Sequence, residues 1–185
     1  MKKYFVISLA ILGLMMITAC SQSSDTSDQT TAKETKKERA LPKLKSSGLT
    51  EITKEDFFKL IKDENSQPFL FISTDADKKL FDKKMRKVYE NNLDNYDIGA
   101  FYLNIYDEDK DVIDEINEYS SYKGEYDASS DGLVIVRHGE IEVVSNRFVL
   151  NQKILEDNIE FENEFNDLQK EATDNVTDVV EEFTK

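Results

Sequence analysis

Asp75, Asp77 and Asp131 offer carboxylates for acid and base work, the chemistry of two acids held in one cleft with unequal proton affinities. The same residue types also cap helices, and their spacing does not separate the two roles. A second acidic group, Asp107, Asp109 and Asp111 with Glu118 eleven residues after Asp107, matches the alternate-acid spacing of a calcium loop. Val112 stands where that loop needs glycine, and Val112, Ile113 and Ile116 share a helix face, so acids decorating a helix N-terminus are the competing reading. The lone cysteine, Cys20, rules out an intrachain disulfide and any CxxC redox pair. The lone histidine, His138, rules out metal sites that need two imidazoles. No cofactor is implied.

The elements that position these residues centre on the stretch from Pro68 to Leu93. Phe69-Leu70-Phe71-Ile72 is too uniformly apolar for a strand with one wet face, so it belongs at the centre of a sheet with helices on each side. Before it, Thr53 is a candidate N-cap for a helix over 54–63 with Phe57, Leu60 and Ile61 on one face. After it, Thr74 or Asp75 can cap a helix whose apolar face holds Ala76, Leu80, Phe81, Met85, Val88, Tyr89 and Leu93. Its other side carries Lys78, Lys79, Lys83, Lys84, Arg86 and Lys87, either a docking face for an anionic partner or a solvated face. Residues 98–105 read as a second strand and 107–121 as a third helix. Strands at 133–136 and 141–144 flank Arg137-His138-Gly139-Glu140, a tight hairpin in which His138 is an exposed turn residue. A last helix starts near Leu150 and carries Ile154, Leu155, Ile159, Phe161, Phe165 and Leu168. Residues 171–185 read as an acidic tail, helical or partner-docking, with Val176, Val179, Val180 and Phe183 at helical spacing. Right-handed crossovers then require the first two strands to be parallel neighbours in an α/β fold, a four-stranded mixed sheet with helices on both faces.

The first residues read as a secretory signal, Lys2 and Lys3 followed by an apolar run from Tyr4 to Ile17. Ile17-Thr18-Ala19-Cys20 resembles a bacterial lipobox. That resemblance implies a signal peptide over 1–19 and a lipid, such as palmitate, on Cys20 that holds the protein at the extracytoplasmic face of a cell membrane or in a periplasm. A composition rich in Lys, Asn, Asp and Ile suits an AT-rich, Gram-positive source. Residues 20–48 lack apolar periodicity and read as a disordered tether, with a basic patch from Lys33 to Arg39 that can lie against anionic headgroups. Loss of Lys2 and Lys3 takes the formal charge from -14 to about -16, which disfavours nucleic acid as a partner.

The element order, with His138-Gly139 closing the last hairpin, resembles the thioredoxin fold from Ile52 to Leu168, within a domain over 49–170. Leu103-Asn104-Ile105-Tyr106-Asp107 is similar to that family's strand ending in an aspartate-rich turn, and Leu133-Val134-Ile135-Val136-Arg137-His138-Gly139 to its apolar strand running into a glycine turn. The resemblance places the family's two redox cysteines at Asp77 and Leu80 and its cis-proline at Asp131. None of these is the family residue, so the resemblance implies a redox-inactive, binding or accessory module. A bacteriocin-transport accessory-like protein that has lost its cysteines is one alternative, and a non-redox enzyme using Asp75, Asp77 and Asp131 is another. A ligand groove is expected between residues 73–78 and 129–132. Beside it, Tyr119, Tyr122 and Tyr126 stand among serine and glycine, a composition suited either to binding a protein or peptide partner or to covering the sheet edge.

Overall fold

The structure, a computed structural model, describes residues 39–63, 65–108, 110–121, 126–129, 132–145 and 161–185, and of 161–164 the backbone alone. Cys20, Asp109, Tyr122, Asp131 and the expected start of the last helix near Leu150 lie outside the described residues.

Strand β2 (Phe69–Thr74) is buried along its whole length. Its side chains alternate, as a pleated strand requires: Leu70 and Ile72 enter one core cluster, Phe69 and Phe71 the other. Parallel to β2 runs β3 (Gly99–Asn104), with Leu70 opposite Ala100 and Thr74 opposite Asn104. On its other edge β4 (Val134–Arg137) runs antiparallel, and β4 pairs with β5 (Glu140–Glu142). His138 and Gly139, at φ 52° and 78°, close that hairpin as expected, with His138 exposed.

The sheet has five strands and not four. The addition is β1 (Gly48–Glu51), parallel to β3 at the edge, giving the order β1-β3-β2-β4-β5. Only Leu49 in that stretch is strongly apolar, so its strand character comes from pairing with β3 and from burying Leu49, not from any alternation of its own.

Helix α1 (Lys54–Lys62) opens with a capping box. Thr53 Oγ1 accepts the Asp56 amide and Asp56 Oδ2 accepts the Thr53 amide, both at 3.3 Å. The next helix begins later than expected, because Asp77 and not Thr74 or Asp75 is its cap. Asp77 Oδ1 takes the amides of Lys79 and Leu80 at 2.9 and 3.1 Å, while Thr74 Oγ1 takes the Ala76 amide. That helix is also not uniform: α2 (Lys78–Leu80) passes through a π-helical turn, Phe81–Met85, into α3 (Arg86–Asp94). Phe81 stacks on Tyr102 at 5.2 Å, and the Arg86 guanidinium lies 5.2 Å from the same ring. The Tyr102 hydroxyl beneath them is buried with no hydrogen-bond partner among the described residues, and burial raises its pKa. Much of the basic face is engaged within the domain: Lys78 pairs with Glu51, Arg86 with Asp82 and Glu90, and Lys84 sits over Phe165.

Helix α4 (Lys110–Asn117) is shorter than the expected 107–121. Past it the chain turns and Ser120 bridges to Ile141 beside β5. Helices α1 and α4 contribute Phe57, Ile61, Val112 and Ile116 to one face of the sheet, where Phe57 stacks on Phe71 at 4.4 Å. The opposite face takes the helical stretch 78–94 and α5 (Phe161–Phe183).

Two expected boundaries give way to packing. Residues 171–185 are no appended tail: Ala172, Val176, Val179 and Val180 are buried in the core cluster of α5. The acidic residues of the stretch fall on the wetter side of a helix whose apolar residues pack against α3 and β4. Nor is the tether disordered up to residue 48. Arg39 Nη2 reaches the buried Asp56 carboxylate at 2.6 Å, the Lys45 amide donates to Thr50 Oγ1, and Leu44 packs on the α1 core. A Cβ at Gly99 would stand 2.0 Å from the Lys45 carbonyl oxygen, so glycine is needed there. Residues Arg39–Lys185 form one compact unit. No helix among the described residues is long and apolar enough to cross a membrane.

Shortening a fully buried side chain on α5 tests whether the C-terminal stretch belongs to the cooperative core. Val179→Ala should lower the unfolding free energy in urea by about 2 kcal/mol. A change within about 0.3 kcal/mol of zero would show that α5 frays independently of the sheet.

Candidate functional site

The carboxyl ends of β2 and β3 are tied together, and the chain leaves them toward opposite faces. The Ile105 amide donates to the Thr74 carbonyl at 2.8 Å, and Asn104 Nδ2 donates to the Ala76 carbonyl at 3.2 Å. From β2 the chain passes to the α2–α3 face and from β3 to the α4 face, leaving a crevice of the kind in which open α/β sheets take ligands. A cleft of about 550 Å³ opens there, with Asp75, Tyr106, Asp114, Asn117 and Asp127 among its lining residues.

Each wall has a local cause. Asp75 is the first residue after β2. Tyr106 and Glu108 follow β3 in a turn where Asn104 Oδ1 accepts the Tyr106 amide, and Lys54 of α1 grips Glu108 at 2.6 Å. Asp114 and Asn117 project from α4. Asp127 and Ser129 belong to the segment before β4, where Asp127 Oδ1 accepts both the amide and the hydroxyl of Ser129. Three polar side chains hold that segment. The Tyr126 hydroxyl meets Ser73 Oγ at 2.5 Å, Asn117 Oδ1 accepts the Ala128 amide at 2.9 Å, and Asn175 of α5 bonds the Leu133 main chain.

Asp75 has no hydrogen bond or ion pair among the described residues. Partial burial, with the negative charge of Asp127 beyond it, raises its pKa above the ordinary carboxylate range. The cleft therefore brings several carboxylates and one lysine, Lys110, together with an exposed tyrosine, Tyr106, a net acidic arrangement suited to holding a cationic group or to moving a proton.

The cleft overlaps the expected groove and extends beyond it. It includes Asp75 and Ser129, but α4 forms its far wall and Asp77 and Lys78 do not line it. Of the three acids nominated for acid and base work, Asp75 alone is seen in the cleft. Asp77 is spent as a helix cap, and Asp131 lies outside the described residues. Asp127 lines the same cleft and its charge acts on Asp75, a relation that sequence spacing does not single out because 52 positions separate them. Leu80, where the thioredoxin resemblance would put a second cysteine, packs against the core. No match is found for this chain among protein-family models, curated proteins or solved structures.

The candidate binding tyrosines divide. Tyr126 is 3% exposed and serves the core, so it is not a contact residue of an open loop. Tyr119 is half-buried, its ring 6.1 Å from Phe58, and Tyr122 lies outside the described residues. The alternate acids of the possible calcium loop are pulled apart by α4: Asp107 sits in the preceding turn, Asp111 in the first helical turn and Glu118 past the helix end. Val112 and Ile116 are buried, which fixes that helix against the sheet. Among the described residues no group of three or more His, Cys, Asp or Glu side chains is placed to hold a metal ion.

The raised Asp75 pKa carries a sign. A carboxyl raised in the folded state contributes stability below its unfolded pKa and loses it as pH rises through the folded value. Asp75→Asn removes the charge, so it should stabilise the domain at pH 7 by up to about 0.5 kcal/mol, a figure kept small by the residue's solvent exposure. The gain should vanish below about pH 4. Equal unfolding curves at pH 7 would show that Asp75 carries no electrostatic burden.

Proposed function

We propose that this chain is a lipoprotein, anchored through Cys20 at the extracytoplasmic face of a cell membrane, whose redox-inactive thioredoxin-like domain binds a cationic segment of a protein or peptide. The observation that carries the binding reading is the cleft at the strand ends, where the carboxylates Asp75, Asp114 and Asp127 gather beside the exposed Tyr106 and outnumber the one lysine of the lining, Lys110. A lysine or arginine side chain entering it exchanges charge repulsion between Asp75 and Asp127 for attraction, with the tyrosine ring as an added cation–π surface.

The thioredoxin-like reading draws support from the buried central strand running toward a side-chain-capped helix, the parallel β2–β3 pair and the glycine-closed β4–β5 hairpin. It also accounts for Asp77. The resemblance puts a redox cysteine at that position, where helix amides stabilise a thiolate; here those amides of Lys79 and Leu80 are bonded to a carboxylate. With one cysteine in the chain, thiol–disulfide exchange within the domain is chemically closed. A bacteriocin-transport accessory-like role is one form that such a module takes.

A second reading is favoured by one observation, the raised pKa of Asp75 beside Asp127. It makes Asp75 a proton donor and Asp127 the carboxylate partner of a non-redox enzyme. Binding without turnover separates the two readings.

Penta-lysine titrated into the domain should move the amide resonances of Asp75, Tyr106 and Asp127, with binding weakened by added salt and about tenfold or more by Asp75→Ala combined with Asp127→Ala. Identical shifts with penta-glycine, or none with either peptide, would remove the cationic-segment reading. The anchor has its own test. Labelled palmitate should be incorporated by the wild-type chain in bacterial cells and not by Cys20→Ser, which should leave the membrane fraction. Equal membrane retention of the variant would remove the lipoprotein reading.

A further inference from the structure

Asn175 is 1% exposed on the face of α5 that otherwise presents Ala172, Val176 and Val179 to the core. A buried carboxamide on an apolar face is costly unless its polar atoms are bonded. Here both are, and to one residue: Oδ1 accepts the Leu133 amide at 2.7 Å, and Nδ2 donates to the Leu133 carbonyl at 3.3 Å. Leu133 directly precedes β4, whose first residue Val134 pairs with Phe71, and its own amide and carbonyl are bonded by a side chain of α5. An apolar residue at 175 would pack as well in the helix and leave both groups of Leu133 buried and unpaired.

We infer that Asn175 is a positioning residue of the cleft, acting from α5 through Leu133 on the segment that carries Asp127 and Ser129. This rests on the reading of the cleft as the binding surface. Holds on that segment come from three different elements: Ser73 of β2 on Tyr126, Asn117 of α4 on Ala128 and Asn175 of α5 on Leu133. Asn117 and Ser73 act before the Asp127–Ser129 turn or within it; Asn175 acts where the segment joins the sheet. Without it both main-chain groups of Leu133 lose their partner, the join to the sheet rests on the Phe71–Val134 pairing that follows, and the end of the segment beyond Ser129 is held less firmly. Among the described residues the C-terminal helix therefore reaches the binding surface through Asn175, although it contributes no residue to the lining. The burial of Asn175 also closes Asn175-Val176-Thr177 to glycosylation in the folded domain.

The experiment is native-state amide exchange followed by NMR on the whole domain, with Asn175→Ala and the milder Asn175→Ser. A positioning role predicts that Ala128, Ser129 and Leu133 lose protection about tenfold or more, while Phe101 in β3 and Val179 in α5 keep theirs. Penta-lysine binding should weaken in the same variants. Uniform loss of protection across β3 and α5, unchanged protection at Ala128 and Ser129, or failure of both variants to fold would each overturn the assignment and make Asn175 a general core residue. If the wild-type domain does not bind penta-lysine, the binding reading falls, and the exchange pattern still decides the role of Asn175.

Discussion

Six consecutive residues of β2, Phe69 to Thr74, lie away from solvent, and the rest of the domain answers that condition. A strand buried on both faces needs a partner on each edge for its main chain and a helical layer over each side. Strands β3 and β4 supply the edges. Helices α1 and α4 cover Phe69 and Phe71, while the α2–α3 stretch and α5 cover Leu70 and Ile72. Neither layer is optional, which is why an acidic C-terminal stretch that looks dispensable is drawn into the core by Ala172, Val176 and Val179.

The same burial creates the cleft. Where β2 ends, its last residues are polar but still enclosed: Ser73 must find Tyr126, and Thr74 must find the Ala76 amide. Asp75 is the first group beyond that enclosure, and it emerges half-buried against Asp127 with its charge only partly hydrated. Chain crossing to opposite faces after β2 and β3 leaves space that no side chain of the core fills. The segment before β4 is irregular, and so its main chain is bonded by side chains of Asn117 and Asn175 where a sheet would use strand neighbours. The binding surface is thus built from polar groups whose geometry depends on apolar layers behind them.

Much of the layer plan was legible in the residues. The unbroken apolar run of β2, the 3.6-residue periodicity of α1 and the His138-Gly139 turn each express a local preference strong enough to survive in the fold. Strand β1 was not legible, because Gly48-Leu49-Thr50-Glu51 has no alternation and becomes a strand by pairing with β3. The cap of α2 was misjudged by two to three residues, since Thr74, Asp75 and Asp77 are all competent caps and only the path of the chain past Asn104 selects among them. Composition leaves Tyr126 open between a contact residue and cover for the sheet edge, and burial against Ser73 selects the second.

By itself the sequence determined what chemistry this chain lacks and which layers it must build. One cysteine forbids internal disulfide exchange whatever the fold, and an apolar run with no polar interruption demands cover on both faces. Only the tertiary structure decided which carboxylates meet. Asp75 and Asp127 are 52 positions apart, Asn175 and Leu133 are 42 apart, and neither pair leaves a periodic trace. Local propensity acts over a few residues, whereas a cleft is made by contacts between elements that only packing brings together.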